Sequence, residues 1–320
     1  MARARKDFTP VFDTTFGDRA LQVAREDIAV GRWQGPAELL HATGPEWDRR
    51  TFRVRMLAQT AAGKSVAEHW HTAEPRNPDA LVLRAETEVM RAFNLAAAAT
   101  DRGGVDLERL NGAVRTCLRA ADVSPQDPVP WMSLVSVARL FPGGHQQAQR
   151  WWEELLARDP HNREAHHQVL RYLSARWHGS HGAMYDFARN VVSSLPPGSH
   201  LAVLLQAARA EEYRYRAEQE GPMSLTLVQH WNNEVAVHDL HRTWELWIRQ
   251  WDGRERAQDV ADLNYLLHAA CAAGQAGPAG YLFDVLGERA TRVPWSFSGD
   301  PVSVMSRFRK TMLRSRPDTG

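Results

Sequence analysis

Apolar residues recur at helical spacing along almost the whole chain, and runs that alternate strictly between apolar and polar residues are nearly absent. The first pattern gathers apolar side chains on one face of a helix, whereas the second would mark strands. The periodicity predicts helices over residues 18–31, 36–43, 46–62, 65–74, 78–99, 106–122, 128–141, 144–158, 162–177, 180–195, 199–219, 223–251 (whole or broken), 256–273, 276–290 and 300–314. Between them stand Gly35-Pro36, Gly44-Pro45, Asn77-Pro78, Gly103-Gly104, Pro142-Gly143-Gly144, Asp159-Pro160, Pro196-Pro197-Gly198, Gly221-Pro222 and Gly277-Pro278. Such pairs stop one helix and permit the next, so the links are short and neighbouring helices run antiparallel. The fold class is therefore all-α.

The helices also repeat. Pro125, Pro160 and Pro196 are spaced by 35 and 36 residues, and Ala120-Ala121-Asp122-Val123-Ser124-Pro125 parallels Leu156-Ala157-Arg158-Asp159-Pro160. Small residues at Ala113, Ala148 and Ala188 recur where two helices of a hairpin approach closely, and bulky ones open the next helix at Trp131 and near His166. This is a helix-turn-helix period of about 34 residues. An earlier unit runs through Trp70, Ala73, Pro75 and Asn77-Pro78, its proline 50 residues before Pro125. A surplus of about 15 residues over one period is assigned to Ala96–Val105. The whole of 1–320 then reads as a single α-solenoid. An N-terminal extension covers 1–17, degenerate hairpins with an insertion cover 18–105, the best-matched repeats cover 106–197, further degenerate hairpins cover 198–293, and a capping helix with a tail covers 294–320.

These residues resemble the tetratricopeptide repeat, in which hairpins pair small residues with large ones and close with proline. Two units over residues 113–197 align well, the rest in outline, and the usual first-helix run is reduced to Trp131 and Leu134. Gly31-Arg32-Trp33, Gly44-Pro45-Glu46-Trp47-Asp48-Arg49-Arg50 and the stretch Arg176 to Arg189 are further similar to uncharacterised tetratricopeptide-like proteins of actinobacteria, a domain of unknown function among them. The resemblance implies a right-handed α-α superhelix of degenerate hairpins and implies no chemistry.

Charge changes the picture little. Thirty-nine basic and 38 acidic residues leave a net charge of +1, which gives no global attraction to nucleic acid or to an anionic membrane. Lysine is confined to Lys6, Lys64 and Lys310, so the cations are mostly arginines, able to form bidentate ion pairs between helices. Cys117 and Cys271 lie far apart in apolar helical stretches and are expected to be buried free thiols. With neither a secretory pattern after Met1 nor an apolar run of about 20 residues, a cytoplasmic location is expected and a membrane partner is not.

Candidate chemistry is sparse. His230, Glu234, His238 and His241, followed by Glu245, stand at spacings that put them on one face of a continuous helix, part of a ligand set for a transition metal such as zinc or iron. His161, Glu164, His166, His167, His178 and His181 gather around one hairpin. The other reading of both sets is as groove-lining or surface histidines. Glu68-His69-Trp70-His71 cannot converge on one ion, because neighbouring helical positions diverge. Gly63-Lys64-Ser65 lacks the earlier glycine of a phosphate-binding loop, since Ala58 stands there. Most of the 12 tryptophans are expected to wedge between helices, with Trp244, Trp247 and Trp251 on one stripe. Arg49, Arg50, Arg53 and Arg55 form the densest basic patch, read as a solvated face or as a site for an acidic peptide or nucleic acid.

The expected function is a scaffold or adaptor that holds a protein or peptide in a concave helical groove, with Arg139, His166, Tyr172 and Arg176 as groove contacts and no cofactor. Nucleic acid is disfavoured as a partner. The alternative is a metal-dependent enzyme or accessory enzyme that uses the His230–His241 face.

Overall fold

Asp18, Asp106, Asn162, Ser180 and Asn233 each stand just before a helical run. In the computed structural model of the protein, which describes residues 8–98, 106–221, 224–254 and 256–314, their side chains accept hydrogen bonds from the amides of Leu21, Arg109, Ala165, Ala183 and Ala236. Each satisfies an amide that the first turn of a helix leaves unpaired. The described residues form sixteen α-helices and no β-strand apart from one isolated bridge. None of the helices is long and apolar enough to cross a membrane. Residues 1–7, 99–105 and 315–320 lie outside the description, and with them parts of the expected extension, insertion and tail.

The chain divides into two compact units. The first, Gly17–Leu173 with Trp177–Gly179, holds α1 (Arg19–Ala29), α2 (Gln34–Thr43), α3 (Trp47–Ala61), α4 (Val66–Ala73), α5 (Pro78–Ala98), α6 (Leu107–Val123), α7 (Val129–Ala138), α8 (Ala148–Leu156) and α9 (Arg163–Tyr172). Odd-numbered helices pack one on the next, α1 on α3, α3 on α5, α5 on α7 and α7 on α9. Even-numbered helices connect them as the other arms of hairpins. Every residue of α7 except Trp131 is buried, which is why its apolar pattern runs all the way round. One continuous core runs from Leu21 to Ala165, with Trp70 and Trp151 among its largest side chains.

The second unit gathers the residues up to Phe16, Ser174–Arg176 and those from Ser180 onward. It holds α10 (His181–Ser193), α11 (Leu204–Glu220), the single turn α12 (Leu225–Val228), α13 (Glu234–Leu246), α14 (Asp259–Ala272), α15 (Ala276–Leu286) and α16 (Pro301–Arg314). Helices α11, α14 and α16 pack in succession, and α14 is buried except at Ala261 and Ala272. Trp295 is fully buried, its indole nitrogen donating to Asn264 Oδ1 at 2.9 Å.

The arginine patch of α3 is not a solvated face. Arg50 is 5% exposed and reaches Asp79 at 2.6 Å and Asp127 at 2.7 Å, with the Leu40 carbonyl as a further acceptor. Arg53 pairs with Asp18 at 2.8 Å, and Arg55 with Glu86 at 2.8 Å and Glu164 at 3.2 Å. Only Arg49 stays outside, beside Glu46. Periodicity misled here because a buried cation matched by acids on other helices looks, in one helix, like a polar face. Removing one partner of such a set leaves buried charges uncompensated. Arg50→Ala is therefore expected to cost about 3–5 kcal/mol in urea unfolding, and Arg49→Ala less than about 0.5 kcal/mol; equal losses would contradict this assignment.

Candidate functional site

The four residues expected in a groove occupy different settings. Arg139, at the end of α7, is 8% exposed and lies with its guanidinium 4.8 Å from the ring centres of both Phe93 and Trp177. His166 on α9 is 3% exposed, its Nδ1 2.7 Å from the Asn162 carbonyl and its ring edge-on to Trp152. Burial pushes its pKa down to about 4, against the raising effect of that hydrogen bond. Tyr172 is half-buried, with its hydroxyl over Gly144, where a Cβ would stand 2.1 Å away. Gly144 has φ +84°, so glycine is required there both by conformation and by space. Arg176 belongs to the second unit, where it holds both carboxylate oxygens of Glu218.

The inner helices of the first unit meet across a charged seam. Arg55 of α3 lies between Glu86 of α5 and Glu164 of α9, and Ser133 of α7 donates to the other Glu86 oxygen at 2.5 Å. Burial raises the Glu86 pKa, opposed by Arg55 and Ser133. Farther along, Asn162 donates to Thr51 at 3.1 Å and Arg163 pairs with Asp48 at 3.2 Å. Helices α3, α7 and α9 are thus in contact, and their shared face is filled by their own side chains.

The four expected metal ligands do not share a face. The chain breaks between α12 and α13, so Glu234 opens a helix that His230 does not join. His230 is 7% exposed and its Nε2 lies 2.9 Å from the Arg209 carbonyl, whereas Glu234, His238 and His241 are exposed on α13. Among the described residues no three His, Cys, Asp or Glu side chains are grouped as a metal ion requires. The end of α13 at Leu246 interrupts the tryptophan stripe: Trp247 is buried, Trp244 meets Tyr281 edge-on, and Trp251 follows a 3-10 turn. Cys117 and Cys271 are free and buried, and burial raises both thiols.

A polar interior in the second unit was not legible in the sequence. Arg209 of α11 is buried, pairing with Asp239 at 2.9 Å and donating to the His230 carbonyl at 3.1 Å. Tyr185 donates to Glu212 at 2.8 Å, and burial raises its hydroxyl far above the usual range. His268 is 1% exposed among Trp231, Trp295 and Phe308, with Nε2 3.2 Å from Ser298 Oγ. Its pKa falls to about 3, through burial and the proximity of His230. Only the buried run around α11 and α14 hinted at this cluster, and helical periodicity cannot say which polar residues face each other.

On the surface of the first unit, Ala37, Glu38 and His41 of α2 and residues Glu74–Asp79 line an open depression of about 740 Å³. Its wall is rigid. Trp70 Nε1 and Asn77 Nδ2 both donate to Glu74 Oε2, at 2.9 and 2.7 Å, and Asn77 Oδ1 accepts from the Asp79 amide.

The buried histidines set a pH dependence. His268 titrates near 3 folded and near 6.5 unfolded, so below about pH 6 the unfolded chain binds a proton that the folded chain refuses. The stability gap between wild type and His268→Leu should then shrink by about 1.4 kcal/mol per pH unit from pH 6 to 4.5. Other groups, the opposing Glu86 included, cancel in this difference; denaturant unfolding at several pH values measures it, and a gap independent of pH would refute it. Comparison of the chain with protein-family models, with curated proteins and with solved structures gave no match.

Proposed function

We propose that the protein is an interaction module, a stack of degenerate tetratricopeptide-like hairpins in a right-handed superhelix that holds a protein or peptide partner and uses no cofactor. Support comes from the packing of alternate helices on one another in the first unit, the arrangement in which hairpin repeats expose long surfaces. The observation that carries the reading is the depression at Ala37–His41 and Glu74–Asp79. Its lining joins the apolar Ala37, Pro75 and Pro78 to Glu38, His41, Arg76 and Asp79, which bring both signs of charge. An open hollow with a pinned wall suits one or two side chains of a macromolecular partner better than the enclosure of a small substrate. Mixed charge favours a polypeptide over a polyphosphate backbone. Arg139 and His166 are buried, so in this proposal the contact moves from the inner helices to this outer hollow.

A photo-crosslinking amino acid at Arg76 tests the reading. In cells that express the protein it should give a discrete adduct, lost when Ala37→Trp fills the hollow with helical content unchanged. The exposed α6 position Arg115 should give none. Equal adducts from both positions, or adducts indifferent to Ala37→Trp, would contradict it.

A further inference from the structure

The only backbone pairing of strand type among the described residues involves the segment that precedes α1. Val11 donates to the Glu288 carbonyl at 2.6 Å and accepts from the Ala290 amide at 2.9 Å, which makes a parallel bridge to Arg289. Around it the side chains alternate: Phe8, Pro10 and Phe12 are covered or partly covered, whereas Thr9, Val11 and Asp13 are exposed. This period of two is that of an extended strand seated on a surface, and proline at position 10 biases Thr9 toward extended backbone.

The surface beneath offers each aromatic a contact of its own. Phe8 meets Phe283 of α15 edge-on, with ring centres 6.0 Å apart, and Arg309 of α16 lies 4.5 Å over its face. Phe12 lies under Arg292 at 5.3 Å. Gly287 ends α15 at φ +59°, and the turn that follows leads into Arg289, with the Glu288 carbonyl and the Ala290 amide placed to pair with Val11. Backbone bonds for affinity and alternate side-chain pockets for specificity are the elements of peptide recognition by strand addition.

We propose that Phe8–Phe12 is a built-in peptide ligand, and that the groove between α15, residues 288–292 and α16 docks an extended Phe-x-Pro-x-Phe segment of a partner protein, which enters by displacing it. The partner backbone would take over the two bonds of Val11, and its aromatics the places under Arg309 and Arg292. Because the internal copy is tethered, it competes at high effective concentration, so an external peptide binds weakly until the clasp is loosened. This groove belongs to the second unit and stands or falls independently of the hollow at Arg76.

The test uses the full chain and a fluorescent peptide with the sequence of residues 8–14, followed by anisotropy. Phe8→Ala with Phe12→Ala in the chain should tighten peptide binding at least tenfold over wild type, and adding Phe283→Ala and Arg309→Ala should abolish it. In the peptide, alanine for either phenylalanine should cost at least tenfold, and alanine for the valine or for the threonine that matches Thr9 less than threefold. Equal affinity for wild type and the loosened chain would overturn the proposal, as would insensitivity to the phenylalanines. Should the loosened chain fail to fold, hydrogen exchange on the wild type decides. Saturating peptide must speed exchange of the Val11 amide while α15 stays protected, and an unchanged Val11 amide overturns it.

Discussion

A guanidinium cannot be left in an apolar interior without anionic partners, and the first unit places that demand on one helix. α3 carries three inward arginines; Arg53 reaches back to Asp18, and the other two each reach acids on two different later segments: Arg50 to Asp79 and Asp127, Arg55 to Glu86 and Glu164. Desolvation offsets much of the Coulomb attraction in such sets, so their chief effect is on which helices can meet. A hairpin shifted by one turn would leave a carboxylate or an arginine buried alone. The seam therefore selects a register that apolar contacts among Leu, Ala and Val would leave loosely defined.

That seam also bears on where partners could bind. The inner faces of α3, α7 and α9 are occupied by their own polar side chains, and Arg139 is held between Phe93 and Trp177. Other surfaces lie elsewhere: the open hollow walled by Glu74 and Asn77 in the first unit, and the face covered by Phe8 and Phe12 in the second. Both are preorganised by hydrogen bonds or turns within the chain, which lowers the ordering cost of association.

Helices were the legible part. The expected 46–62 is α3 at Trp47–Ala61, 106–122 is α6 at Leu107–Val123, and 276–290 is α15, which stops earlier, at Leu286, because Gly287 takes a left-handed conformation. Periodicity reports how a helix divides its faces, and that is a local property. It failed where meaning depended on another helix: Arg50 looked solvated because Asp79 and Asp127 lie far along the chain, and His230 looked like a ligand because the break before Glu234 has no proline or glycine to mark it. Tyr185, Glu212, Arg209 and Asp239 were invisible as a group for the same reason. Phe8 to Phe12 was read as part of an extension because five residues of alternation are too few to stand out among sixteen helices.

The bridge from Val11 to Arg289 ties together residues separated by nearly the whole described chain. During synthesis from the ribosome, the helices of the first unit emerge with every partner they need, and they can close before the rest is made. The second unit is different. Its strand-like segment leaves the tunnel ahead of α1 and must wait until α15 and α16 have followed before it finds its place, a contact of long sequence separation whose loop closure is costly. Through that interval Phe8 and Phe12 stay accessible to any cellular factor that recognises extended aromatic segments.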